Sequence, residues 1–175
     1  MTKQNAIIAA AERAFDRNGF SATSMDVLAR AAKVSSRTLY KHIGSRAELI
    51  DKVLELREKH FFDVCRPDDI GALFAALDQW YWSTGANGCL FLRAASENRS
   101  LPSVAKAMKR HKKKFHELVA RLVADEIGPN EVVAEQILVL FEGANAAAVY
   151  RGALAIEAAA AAAQAVLAAA RTATA

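Results

Sequence analysis

The residues with the clearest chemical potential lie between Ser35 and His42, in the run Ser35-Ser36-Arg37-Thr38-Leu39-Tyr40-Lys41-His42. Ser35 is a helix-capping type, and a helix begun at Ser36 turns Leu39 inward. Ser36, Arg37, Tyr40 and Lys41 are then left on the outer face. A short helix that is basic and polar outside suits the major groove of duplex DNA. Arg37 is the best candidate for a base edge, because arginine pairs bidentately with guanine. Ser36 and Lys41 are secondary candidates.

A second pattern stands just before it. From Met25 to about Ala32, the residues Val27, Leu28, Ala31 and Ala32 fall three and four apart, and Ser24 precedes them as a cap. Lys33 and Val34 break the run. Two short helices joined by a tight turn make a helix-turn-helix. Upstream, Lys3 to Asn18 carries the apolar positions Ile7, Ile8, Ala11, Ala14 and Phe15 and ends at Gly19, a good stop signal.

The segment ATSMDVLARAAKVSSRTLYKHIGSRAEL resembles the DNA-binding domain of TetR/AcrR-type transcriptional regulators, and IIAAAERAFDRNGF resembles that family's first helix. The matching positions are Thr23-Ser24, Ala31-Ala32, Val34-Ser35, Thr38-Leu39-Tyr40, His42, and Ser45 followed by a basic residue. Lys33 stands where glycine is common, Ile43 where phenylalanine is common, and Arg46 where lysine is common. A positive φ at Lys33 would cost about 1 kcal/mol. The resemblance, together with their donor chemistry, implies that Thr38, Tyr40 and His42 touch phosphate oxygens. Packing for Tyr40 and plain solvation for His42 stay open. Arg46 sits near the next helix start, where it can join free N–H groups in holding a phosphate. Ser24 and Ser35 complete the expected DNA-binding set.

The wider composition agrees. Net charge is +4, and residues 1–50 hold eight Lys/Arg against four Asp/Glu, so the whole surplus lies on the helix-turn-helix segment. Hydrophobic residues make up 53% with only 3 Pro, and alanine dominates the last third, which together predict an all-α fold of about nine helices. Cys65 and Cys89 show no metal-ligand spacing and no disulfide framework. No signal peptide is evident at the N-terminus. The uncharged run Ala158 to Ala170 falls short of the ~20 residues that span a bilayer. These features point to a cytoplasmic protein with no membrane partner, no metal and no cofactor.

The remaining helices come in order. One from Ser45 to about Cys65, with Leu49, Ile50, Val53, Leu56 and Val64 inward, links the reading head to the rest of the chain. The division is placed near residue 47, giving a DNA-binding domain over 1–46 and a ligand-binding and dimerisation domain over 47–175. Further helices span 68–84, Gly88 to about Asn98, and Pro102 to Ile127, with a break at 84–88. The 102–127 stripe is Leu101, Val104, Met108, His111, Phe115, Leu118 and Leu122, and its Lys/Arg residues fall mostly off that stripe. Residues 131–151 show apolar positions on two faces, and the helix from Ala153 to about Thr172 is nearly all alanine. A helix apolar all round must be covered on both sides. These two helices are therefore expected to pair with their copies across a two-fold axis.

The expected function is a homodimeric, sequence-specific DNA-binding regulator, a repressor by resemblance, bound to a pseudo-palindrome and released by an unidentified small molecule. Candidate ligand contacts are Trp80, Trp82, Cys89, Phe91, Met108, His111, Phe115 and Glu142, each also explicable as core. Two alternatives stay open: a helical interaction module without DNA specificity, and a redox- or electrophile-sensing regulator in which Cys89 reacts. His111 and His116 lie five apart and make no HExxH, and no phosphate-cradling loop or nucleophile elbow occurs, so catalysis is not expected.

Overall fold

A computed structural model describes residues 2–85 and 87–174, and the described residues form nine helices and no strand. They are α1 (Lys3–Asn18), α2 (Met25–Ala31), α3 (Ser36–Ile43), α4 (Arg46–Val64), α5 (Ile70–Thr84), α6 (Leu90–Glu97), α7 (Pro102–Ile127), α8 (Glu131–Arg151) and α9 (Ala153–Thr174). The all-α expectation holds, and most expected helix bounds fall within two residues of the observed ones. Part of the expected 84–88 break, at Ala86, lies outside the described residues. The last helix runs through Thr174, beyond the end expected near Thr172.

The helix starts are chemically specified. Thr2, Ser24, Ser35, Asp69 and Asn130 each accept a hydrogen bond from a backbone N–H three residues on. Each such cap contributes about 1 kcal/mol. Ser45 and Glu48 form a capping box at α4: the Ser45 N–H donates to Glu48 Oε2 at 2.6 Å, and the Glu48 N–H donates to Ser45 Oγ at 3.2 Å. The hydrogen bonds from Ser45 hold the Glu48 carboxyl below the usual carboxylate range.

The chain packs as two compact units. One comprises the chain up to Phe62 together with Leu90–His111, and the other comprises Asp63–Cys89 with Lys112–Ala175. In the first, Ile7, Ala10, Ala11 and Phe15 of α1 pack in a core with Leu28, Leu39, Ile43, Leu49, Ile50, Val53 and Leu54. Phe15 stacks on Phe20 with ring centroids 4.5 Å apart. Ile8 and Ala14 are only half-buried, because the buried stripe of α1 runs through Ala10 instead. In α4 Leu49, Ile50 and Val53 are buried as expected, Leu54 joins them while Leu56 is half-buried, and the side chain of Val64 lies outside the described residues.

The second unit buries Leu73, Phe74 and Leu77 of α5 with Phe115, Leu118 and Leu122 of α7. From α8 it buries Val133, Ile137 and Phe141, with Phe74 and Phe115 both against Phe141. From α9 come Ile156, Ala163 and Leu167. Of the second apolar face expected on α8, only Val149 is exposed, while Phe141 is buried in the core and Leu138 is half-buried; Val132, Val139 and Tyr150 of α8 and Leu154 of α9 are exposed beside Val149. Both helices are long and apolar enough to cross a membrane by length and composition, a wider apolar extent than the Ala158–Ala170 run suggested.

Candidate nucleic-acid interface

The turn between α2 and α3 shows why these residues fold locally as they do. The Val34 N–H donates to Ala29 O and the Lys33 N–H to Arg30 O, each at 3.0 Å. This is a Schellman closure, and it places Lys33 in the left-handed region at φ 54°. Lys33 is the one non-glycine with positive φ among the described residues. The strain expected there is therefore present, at about 1 kcal/mol. On α2 the buried residues are Leu28 and Ala29, and Ala31 is exposed. The expected patch through Ala31 is thus corrected: the Schellman turn brings Ala29 to the core.

α3 buries Leu39 and Ile43 and presents the rest. Arg37 and Lys41 are exposed, and Tyr40 is 51% exposed, so its packing alternative loses ground. Thr38 and His42 are half-buried. Ser35 Oγ accepts from the Thr38 N–H at 3.1 Å and lies 2.8 Å from Thr38 Oγ1. Ser36 Oγ donates to Asp26 Oδ1 at 2.8 Å. That bond locks α3 to α2, so Ser36 sets the angle between the two helices before it can read a base. The His42 carbonyl accepts from Gln4 Nε2 at 3.0 Å, tying the end of α3 to the first turn of α1.

Arg46 faces inward. Its guanidinium donates to the carbonyls of Thr23 at 2.6 Å and Phe20 at 2.5 Å, and sits 5.4 Å from the Phe15 ring centroid. Lysine could not hold both carbonyls with one planar fork. These two bonds use one N–H of each terminal nitrogen, so three of the five guanidinium N–H groups remain for a further acceptor. The segment Gly19–Ser24 is gripped from other directions too: Thr23 Oγ1 donates to Gly19 O at 2.7 Å, and the Ser21 N–H donates to Glu97 Oε2 at 2.6 Å. Arg57, buried, pairs with Glu12 at 2.6 Å and Asp16 at 2.9 Å, fastening α4 to α1.

The nominated ligand residues fall into both compact units. Phe91, Met108 and His111 belong to the first, and Trp80, Trp82, Cys89, Phe115 and Glu142 to the second. His111 is buried and stacks on Phe91 at 3.9 Å between ring centroids, with Phe61 and Phe62 against it at 5.4 and 5.6 Å. Phe115 packs on Phe141, and Trp82 is 71% exposed. Lys112 pairs with Glu142 and reaches Cys89 Sγ at 3.6 Å. Cys65 is buried, and burial pushes its thiol up to about 11. Two features escaped the sequence: the Arg46 clamp and the Glu97 tie. Neither has a periodic signal, because each joins residues more than twenty positions apart.

Residues 7–53 match the family of bacterial regulatory proteins, tetR family. The chain carries a tetR-family DNA-binding domain. The whole chain also has the fold of solved tetR-family regulators. One from Streptomyces coelicolor superposes with a TM-score of 0.82 at 22% identity, over 97% of this chain and 96% of that one. One from Legionella pneumophila gives 0.80 at 21% identity, over 94% and 96%. One from Agrobacterium tumefaciens gives 0.77 at 17%, over 94% and 95%. No curated protein sequence matches the chain significantly.

Proposed function

We propose that this tetR-family protein is a cytoplasmic, sequence-specific transcriptional regulator that acts as a homodimer and represses by occupying a pseudo-palindromic operator. The observation that carries it is the outer face of α3: Arg37, Tyr40 and Lys41 exposed on a helix whose inner face is pinned by Leu39 and Ile43. Arg37 reads a base edge. Tyr40, His42 and Thr38 meet phosphates and fix the register, and Lys41, by position a secondary base-edge candidate, is placed with them here as an exposed point charge. Ser24, Ser35 and Ser36 hold the helix starts and the α2–α3 angle, and Arg46 holds the turn before α2.

Function divides near residue 47. Residues 1–46 read DNA, and 47–175 dimerise and take a small effector. Support for the dimer comes from a groove of about 450 Å³ between α8 and α9, lined by Val139, Gly143, Ala147, Leu154 and Ala158 among others. Apart from Arg151 its walls are apolar and mostly Ala and Gly, so a second copy of the same helix pair can approach closely and complete a four-helix contact. An effector shifts DNA binding only through unequal affinity for the two separations of the reading heads.

The test is selection of a random duplex library by the purified protein. One pseudo-palindrome should be enriched, with half-sites roughly 34–36 Å apart or at a related whole-turn spacing. Salt-sensitive retention with no sequence preference would remove the regulator reading in favour of a general DNA binder or an interaction module.

One observation favours a sensing role for Cys89. Cys89 is half-buried rather than buried, and the Lys112 Nζ that pairs with Glu142 also lies 3.6 Å from its sulfur, which places a polar contact at the thiol. Alkylation with iodoacetamide should label Cys89 well before buried Cys65. If Cys89→Ser responds to oxidants and alkylators on operator DNA as the parent does, the sensing role is lost.

A further inference from the structure

α6 contributes nothing to the face that meets DNA, yet two of its side chains reach the segment that launches the reading helices. Glu97 Oε2 accepts from the Ser21 N–H at 2.6 Å. The same carboxylate crowds Gly19 so closely that a Cβ there would stand 3.0 Å from Glu97 Oε1, and Gly19 has φ 81°. Arg93 Nη1 donates to Asp16 O at 2.8 Å, in the last turn of α1. Burial works against the charged form of Glu97. The hydrogen bonds from Ser21 and the Phe20 backbone, with Arg93 nearby, outweigh it and hold the carboxyl below its usual range.

From α4, Arg46 holds the carbonyls of Phe20 and Thr23. The α1–α2 turn is therefore held on its carbonyls by one helix and on its N–H side by another. Ser24 at its end is the cap of α2, and α2 is locked to α3 through Asp26 and Ser36. A displacement of α6 along Glu97 would thus change where α2 starts, and α3 with it. The chain enters α6 directly from the segment 63–89, and the division between the two units falls within α7, after His111.

We infer that Glu97, assisted by Arg93, is a positioning residue for DNA recognition, setting the reading helices through the α1–α2 turn. The inference rests on the DNA-binding reading above, and its test has one arm that does not need DNA.

Amide hydrogen exchange is measured on the full chain of the parent, Glu97→Ala and Glu97→Gln. Glu97→Ala should raise exchange about tenfold or more at residues 20–24 and through α2, with α8 and α9 unchanged. Glu97→Gln keeps an acceptor for the Ser21 N–H and should recover most of the protection. On the selected operator, Glu97→Ala should bind about tenfold more weakly, within the usual range of coupling effects. The slope of affinity against salt should be unchanged, because no phosphate contact is removed.

Several results would overturn the inference. They are unchanged exchange at 20–24, a uniform rise throughout the chain, no recovery in Glu97→Gln, or operator affinity equal to or tighter than the parent's. Tighter binding is what deleting a negative charge beside DNA would give. If the parent selects no operator, the regulator reading falls, while the exchange arm still decides whether Glu97 positions α2.

Discussion

Two faces of this chain are left uncovered, and they differ in kind. The outer face of α3 is polar and cationic, set on a short helix whose start, turn and inner side are all fixed by named contacts. The outer face of α8 and α9 is apolar, with Val139 61% and Leu154 63% exposed. Solvent tolerates the first face and disfavours the second. The first can wait exposed for a polyanion, whereas the second calls for a partner of the same apolar character. The difference also explains why basic charge concentrates in residues 1–50 while the rest of the chain balances to zero. A two-fold dimer built on the apolar face would present two copies of the polar one, and that doubling is what converts a weak single contact into an operator-length one.

The largest expected effect comes from breaking the apolar face. Leu154→Glu places a charge in the α8–α9 groove at an exposed site, so the folded protomer should change by no more than about 0.5 kcal/mol. Self-association should weaken by on the order of a hundredfold, because each protomer would bury an added carboxylate in a largely apolar contact. Sedimentation velocity checks this. A dimer of unchanged affinity would place the interface elsewhere.

A smaller effect is expected from the polar face. Lys41→Ala should weaken operator and random DNA alike and reduce the salt slope by about 1, since a phosphate contact carries no sequence information. Loss of preference without loss of slope would make Lys41 a base reader. The smallest effect is expected at the turn. Lys33→Gly relieves the residue held at φ 54° and should raise stability by up to about 1 kcal/mol, read from urea unfolding. Operator preference should not change. A loss of stability would mean that the Lys33 side chain makes a contact worth more than the strain.

Much of the first face was legible in the sequence, for local reasons. Caps, the Gly19 stop, Leu39 facing inward and the exposed Arg37 all follow from residue type and helical spacing over a few positions. What escaped was long-range or geometric. Ala29 rather than Ala31 reaches the core, because the Schellman closure at Lys33 sets the roll of α2. Arg46 has the chemistry of a phosphate ligand, yet its fork is turned onto two carbonyls more than twenty residues earlier. Ser36 has the position of a base reader, and its hydroxyl also donates to Asp26, a contact that helical spacing does not announce. The apolar excess of α8 and α9 was legible as composition. Which residues stay outside was not, since an alanine-rich helix has no sharp face for a pattern to mark. The nominated ligand residues scatter for the same reason: aromatic type alone does not separate core packing, as at Phe115, from an accessible site.

The central claim is that α3 reads DNA through Arg37 from both halves of a symmetric dimer. The most direct measurement runs the random duplex selection with the parent and Arg37→Ala side by side at one salt concentration. The parent should enrich a pseudo-palindrome. The variant should bind it about tenfold or more weakly and lose preference at one symmetry-related pair of base positions, most simply guanines, while keeping the half-site spacing. Identical enriched sequences and affinities for the two proteins would contradict the claim, and the reading face would have to be sought outside α3.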